Sequence, residues 1–192
     1  LYVSPDLGAT LDVAPTGEPT VLAGRGMGSG LGLSELAFLW GRHLSRLRPS
    51  SRAFSFFRSA DELAQFVEAA AILGGAPGAD ARRLQADGKR LLTLLRADVH
   101  GADLDRLKAA AREFRIEDMK SRATRAMVRA DLAGIRTGLL ACGDVYVAAQ
   151  LIDRFPTRGA ASVEEQKGEL YAFAISDAYG SLRQRLGVAS AA

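Results

Sequence analysis

SELAFLWGRHLSRLRP, residues 34–49, is the stretch from which the rest of the chain is read. Leu33, Leu36, Ala37, Trp40, Leu44 and Leu47 recur at i, i+3, i+4 spacing, which predicts an amphipathic helix with that stripe in the core. Ser34 is its candidate N-cap and Pro49 its stop. The polar face carries Arg42 and Arg46 one turn apart, with His43 between them. Two guanidiniums at that spacing repel each other and are costly to desolvate, so their presence on so apolar a helix needs a reason.

Upstream lies GRGMGSGLG, with glycines at 24, 26, 28, 30 and 32, and before it the β-type runs LYV, TLDVA and TVLAG between turn residues. These predict a small sheet or hairpin. Downstream the pattern is helical almost throughout. SADE (Ser59 to Glu62) reads as a capping box for a helix that runs to Gly74, where GGAPGAD makes a turn. Further helices are expected at about 80–97, 102–118, 121–142 and 144–154. A last one opens at Ser162 with the capping box SVEE and carries Leu170, Phe173, Ala174, Tyr179, Leu182 and Leu186. The expectation is an α+β, mostly α-helical fold of about seven helices behind a small N-terminal β element. The chain reads as a single domain, 1–192, with a β-rich entry (1–32) and a helical body (33–192), and no repeat of about 34 residues marks it as a helical array.

Composition narrows the function classes. At 192 residues and 48% hydrophobic, one compact domain with a sizeable core is expected. No apolar run approaches the roughly 18 residues of a membrane span, so the chain is expected to be soluble. The first residue is Leu and no leader pattern opens the chain, which reads as an excerpt of something longer. Lys and Arg exceed Asp and Glu by only three charges, too few for electrostatics alone to argue nucleic-acid binding. The one cysteine, Cys142, excludes a disulfide within the chain and fits a reducing compartment such as the cytoplasm, although localisation stays open.

Motifs of known chemistry are sparse. The glycine stretch invites a phosphate-loop reading, but Ser29 breaks G-x-G-x-x-G and no G-K-[ST] follows, so a flexible connection is expected instead. There is no G-x-S-x-G, and His43 and His100 are the only histidines available as bases or zinc ligands.

The helix frame SELAFLWGRHLSR resembles the active-site helix of the HExxH zinc metallopeptidases related to CAAX prenyl endopeptidases, in which a D-E-L-A lead-in runs into H-E-L-x-H. Ser34 to Ala37 follow the lead-in and Leu44 is retained, but Arg42 and Arg46 stand where the two histidines would be and His43 where the catalytic Glu would be. RADLAGIRTGLLACGD is similar to that family's E-x-x-A-D-R-x-G-L segment, which supplies the third zinc ligand. Asp131 stands in the ligand Glu's place, Gly134 and Ile135 replace Ala and Asp, and Arg136, Gly138 and Leu139 match. TVLAGRGMGSGL resembles the strand and turn before the active helix, which makes Thr20, Val21, Leu22 and Ala23 a candidate edge for an extended peptide. The resemblance covers roughly residues 1–50 and 121–150, and the helices between match no part of it.

A guanidinium has no lone pair to give a metal and stays protonated, so Arg42 and Arg46 cannot bind zinc, and His43 has no metal-bound water to deprotonate. The resemblance therefore implies a zinc-less, cofactor-free, inactive relative, with Arg42, His43, Arg46 and Asp131 at the former metal-site positions. Arg42 or Arg46 is expected to replace the metal as the cation facing Asp131, in a bidentate pair across the two helices. The implied role is structural or protein-binding within a larger bacterial protein, of the kind that accompanies tetratricopeptide repeats, with a protein or peptide partner, no membrane span and no nucleic acid. Two other classes stay open. One is an enzyme, such as a hydrolase, using Glu35, His43, His100 or Asp131 in a different cluster. The other is an anion- or nucleic-acid-binding module built on Arg122, Arg125 and Arg129.

Overall fold

A computed structural model of the protein describes residues 1–6, 8, 10–14, 18, 20–28, 30–155 and 160–188. Ser29, which breaks the glycine motif, lies outside them. The described chain is a mostly α-helical α+β fold. It opens with strands β1 (Tyr2–Ser4), β2 (Leu11–Val13) and β3 (Val21–Gly24). The sheet order is β1-β3-β2, with β1 parallel to β3 (Tyr2 opposite Leu22) and β2 antiparallel to it (Val13 opposite Val21). This corrects the expected peptide edge: Val21, Leu22 and Ala23 lie in the central strand, whose backbone is paired on both sides, and the Thr20 carbonyl accepts from Ala14 N.

The helices are α1 (Leu33–Leu44), α2 (Pro49–Arg52), α3 (Ala60–Gly74), α4 (Ala86–Asp98), α5 (Gly101–Ala111), α6 (Met119–Cys142), α7 (Val145–Arg154), α8 (Val163–Ala174) and α9 (Asp177–Arg185). Of the two expected capping boxes the one at Ser162 is complete and the one at Ser59 is half formed, the Glu62 carboxylate taking Arg58 N instead of Ser59 N. Ser59 Oγ accepts from Glu62 N, and Ser162 and Glu165 exchange both bonds of a capping box. Gly75, at φ 74°, closes α3 in the left-handed conformation that glycine adopts without strain. No helix among the described residues is long and apolar enough to cross a membrane.

Several expectations shift. The α1 cap is Gly32, whose N–H is taken by the Glu35 carboxylate at 2.6 Å, while Ser34 lies inside the helix. α1 ends at Leu44 in a 3₁₀ turn (Ser45–Leu47), and Pro49 opens α2 instead of stopping α1. The expected 80–97 helix starts at Ala86 after a 3₁₀ turn at Ala81–Arg83, and the expected 102–118 helix ends at Ala111. The last helix breaks at Ile175, because Ser176 caps a new one by accepting from Tyr179 N.

The α1 stripe is also different. Leu33 and Leu44 are exposed, at 87% and 48%, whereas Phe38, Leu39, Gly41, His43 and Ser45 are buried. The inward face is chosen by what the helix can approach closely, and Gly41 allows the closest approach.

The contacts divide the chain into two compact units where composition suggested one domain. The first comprises Leu1–Phe56 and Met127–Ala192, and the second Phe57–Ala126. The first unit's core gathers Phe38, Leu39, Ile135, Leu139, Leu151, Ile152, Leu170 and Phe173 from α1, α6, α7 and α8. The second is built on small side chains: Ala69 with Leu84 and Leu92, and Ala71 with Ala76 and Ala111.

Candidate functional site

Within the first unit, α1 and α6 cross almost backbone to backbone. A Cβ added at Gly41 would lie 2.8 Å from the Thr137 carbonyl oxygen, and one at Gly138 would lie 2.9 Å from both the Phe38 ring and the Phe38 carbonyl. At Gly134 it would meet the Arg42 carbonyl at 3.1 Å. Small residues at i and i+4 on α6 thus remove the side-chain layer that normally separates two helices. The two segments singled out in the sequence become immediate neighbours.

That crossing brings Arg46 to Asp131. Arg46 Nη2 donates to Asp131 Oδ1 at 2.6 Å, with the Asp131 side chain 6% exposed and that of Arg46 26%. The pair joins the 3₁₀ turn that follows α1 to α6 through one oxygen and is not bidentate. The second oxygen, Oδ2, accepts from Ala161 N at 3.1 Å. Among the described residues Arg42 takes no part in an ion pair. Its Nη2 donates to the Phe155 carbonyl at 2.9 Å, its guanidinium lies 5.5 Å from the centre of the Phe38 ring, and its buried Nη1 has no partner among the described residues. Burial, with Arg46 nearby and Asp131 only partly offsetting it, lowers the Arg42 pKa to about 10. At neutral pH it remains a cation.

His43 is buried as well, against the Asp12 backbone of β2, and its Nε2 has no partner among the described residues. Desolvation first and Arg46 second lower its pKa to about 4, with Asp12 opposing and Arg42 reinforcing the shift. The ring is therefore neutral at pH 7.

These groups do structural work on the connection between α7 and α8. Arg42 holds the carbonyl of Phe155, the residue after α7, and Asp131 holds the amide of Ala161, two residues before α8. Gln166, 1% exposed on α8, donates to the Ala161 carbonyl at 2.9 Å. A hub built from α1, α6 and α8 thus fixes both ends of the connecting segment. Sequence reading missed Gln166, Phe155 and Ala161. Two of them act through backbone atoms, which leave no mark on residue type; Gln166 carried a weak signal as a polar residue one turn before the apolar Leu170.

The donor set does not fit zinc. Of Arg42, His43, Arg46 and Asp131 only His43 and Asp131 carry metal donors, and both Asp131 oxygens are engaged. Among the described residues no three His, Cys, Asp or Glu side chains come together in a way that could hold a metal ion. The other candidates are dispersed. Glu35 caps α1 and pairs with Arg154 at 3.5 Å. His100, at the start of α5 in the second unit, has its ring nitrogen on the Ala97 carbonyl. Cys142 is half-buried, and burial pushes its thiol pKa up, which disfavours the reactive thiolate. Arg122, Arg125 and Arg129 all lie on α6, where Arg122 stacks over Phe114 and Arg125 donates to Ser121 Oγ.

No protein-family model, curated protein or solved structure matches the chain.

Proposed function

We propose that the chain is a non-catalytic domain of metallopeptidase-like ancestry with a structural or protein-interaction role, its metal position taken over by an internal ion pair. The observation that carries this reading is the Arg46–Asp131 bond across the glycine-mediated crossing of α1 and α6. In an HExxH site the second ligand of the first helix and the carboxylate of the second share a metal. Here the residue at the second ligand position is itself the cation, which supports a scaffold that kept its helix packing and lost the side chains that could bind a metal. The polar groups that could have done chemistry instead hold the α7–α8 connection.

The reading is tested by rebuilding the donors. The wild-type chain is expected to purify without stoichiometric zinc, whereas Arg42→His, His43→Glu and Arg46→His combined with Asp131→Glu should bind one zinc per chain by elemental analysis. Stoichiometric zinc in the wild type, or a folded rebuilt variant that takes none, would overturn the reading.

A further inference from the structure

In the second unit, the chain after α3 and the chain after α5 form the two walls of a cleft. One wall is the turn from Gly75 to Arg83, set by left-handed glycines at Gly75 and Gly78, and the other is the run from Arg112 to Glu117. Ala79, Phe114 and Ile116 pack onto buried Ala71, Ala76 and Ala111, which ties the two walls together from beneath. The cleft holds about 290 Å³, and its lining includes Arg83, Arg112 and Arg115 with Phe114, Glu113 and Glu117, three cations against two carboxylates.

Among the described residues none of these three arginines forms an ion pair. Neither Arg112 nor Arg115 has a carboxylate within ion-pair distance among the described residues. Arg83 lies beside Asp80, but that carboxylate is bound by Arg82 through both oxygens. A fourth guanidinium stands close by, since Arg122 lies 5.0 Å from the centre of the Phe114 ring and donates to the Arg115 carbonyl. An adjoining cleft of about 420 Å³, sharing Arg83, Ile116 and Glu117, is the more acidic, with Glu68, Asp80 and Asp118 beside Lys120 on its lining. Of the two clefts the first is therefore the more positive, which favours an anion there.

We propose that Arg83, Arg112 and Arg115 form an oxyanion-binding site that takes the phosphate or carboxylate group of a ligand in the 290 Å³ cleft. Planar guanidinium forks match such groups in geometry and charge, and clustered cations without internal partners repel one another until an anion arrives. The site shares no residue with the Arg46–Asp131 hub, so it stands or falls independently of the reading above. It also differs from a row of arginines along α6: the cations come from two loops, and only Arg122 belongs to that helix.

The test is an amide NMR titration of the full chain with inorganic phosphate, with citrate, and with chloride at matched ionic strength. Saturable shifts confined to residues 76–83 and 112–117 are expected with phosphate, citrate or both, and which of the two saturates assigns the group recognised. Arg112→Glu combined with Arg115→Glu should weaken that binding by roughly tenfold or more. Arg112→Gln with Arg115→Gln should weaken it in the same direction, which separates loss of the site from any effect of the introduced carboxylates on folding. Arg106→Glu, at an exposed arginine paired with Asp103, should leave it unchanged. Non-saturating shifts that chloride reproduces, or saturation undiminished in both double variants, would overturn the proposal.

Discussion

His43 shows how one residue type can mislead and inform at once. Next to two arginines it looked like the relic of a catalytic position, yet the ring sits 6% exposed against β2, too poorly hydrated to accept a proton near neutrality. The consequence for stability has a definite sign. The folded ring titrates at about 4 and the unfolded one at about 6.5, so at pH 7 both are neutral and nothing is lost. As pH falls below 6.5 the unfolded chain binds a proton that the folded chain refuses, and stability drops until the folded ring itself protonates near 4. Between pH 7 and 4.5 this amounts to about 2–3 kcal/mol. Urea unfolding of the wild type and of His43→Leu over that range should show the wild type losing that much more stability than the variant as pH falls; parallel curves would mean the ring is hydrated and titrates normally. The presence of Arg42, Arg46 and Asp131 was legible from the sequence, but which arginine meets the carboxylate was not. Arg46 is the one because the residue facing Asp131 is fixed by the crossing point of two helices, which side-chain identities do not encode.

Helix starts were readable where a serine and a glutamate three residues on can satisfy the exposed amides, as at Ser162 and Glu165. The buried face of α1 was not, because leucines at Leu33 and Leu44 completed a convincing apolar stripe and are exposed. What selects the face is the backbone approach at Gly41, and a glycine gives no hydrophobic signal. The same glycines make a prediction at the level of the helix pair. Alanine at Gly138 places a methyl group 2.9 Å from a backbone carbonyl and an aromatic ring that cannot both retreat without separating α1 from α6. Overpacking of that kind outweighs the helix-propensity gain and should destabilise by about 1–3 kcal/mol. Gly168 on α8 is the control, since a Cβ there meets nothing within 4 Å and Gly168→Ala should stabilise by about 0.5–1 kcal/mol. Chemical denaturation of the two variants checks both signs, and equal effects would show that the crossing is looser than its geometry.

At the level of the whole chain, the patterning of apolar residues and caps correctly gave a helix-rich α+β fold, while composition did not reveal the division into two units. Hydrophobic content was read as a sum, whereas the units differ in the size of the side chains they bury. Between Phe57 and Ala126 the buried apolar positions are mostly alanines, with Leu63, Leu84, Leu92 and Met119 as the larger ones. The first unit encloses Phe38, Ile135, Leu139, Leu151, Ile152 and Leu170 almost completely. Since the free energy of burial follows the apolar area removed from water, at about 25 cal/mol per Å², an alanine core contributes less per residue than one of leucine, isoleucine and phenylalanine. The second unit should therefore open at lower free energy without unfolding the first. Hydrogen exchange of the intact chain would show it: amides in α3, α4 and α5 should exchange roughly tenfold or more faster, relative to their intrinsic rates, than those of α7, α8 and the last three turns of α6. Uniform protection across all of these helices would mean that the chain opens as one cooperative body despite the difference in its cores.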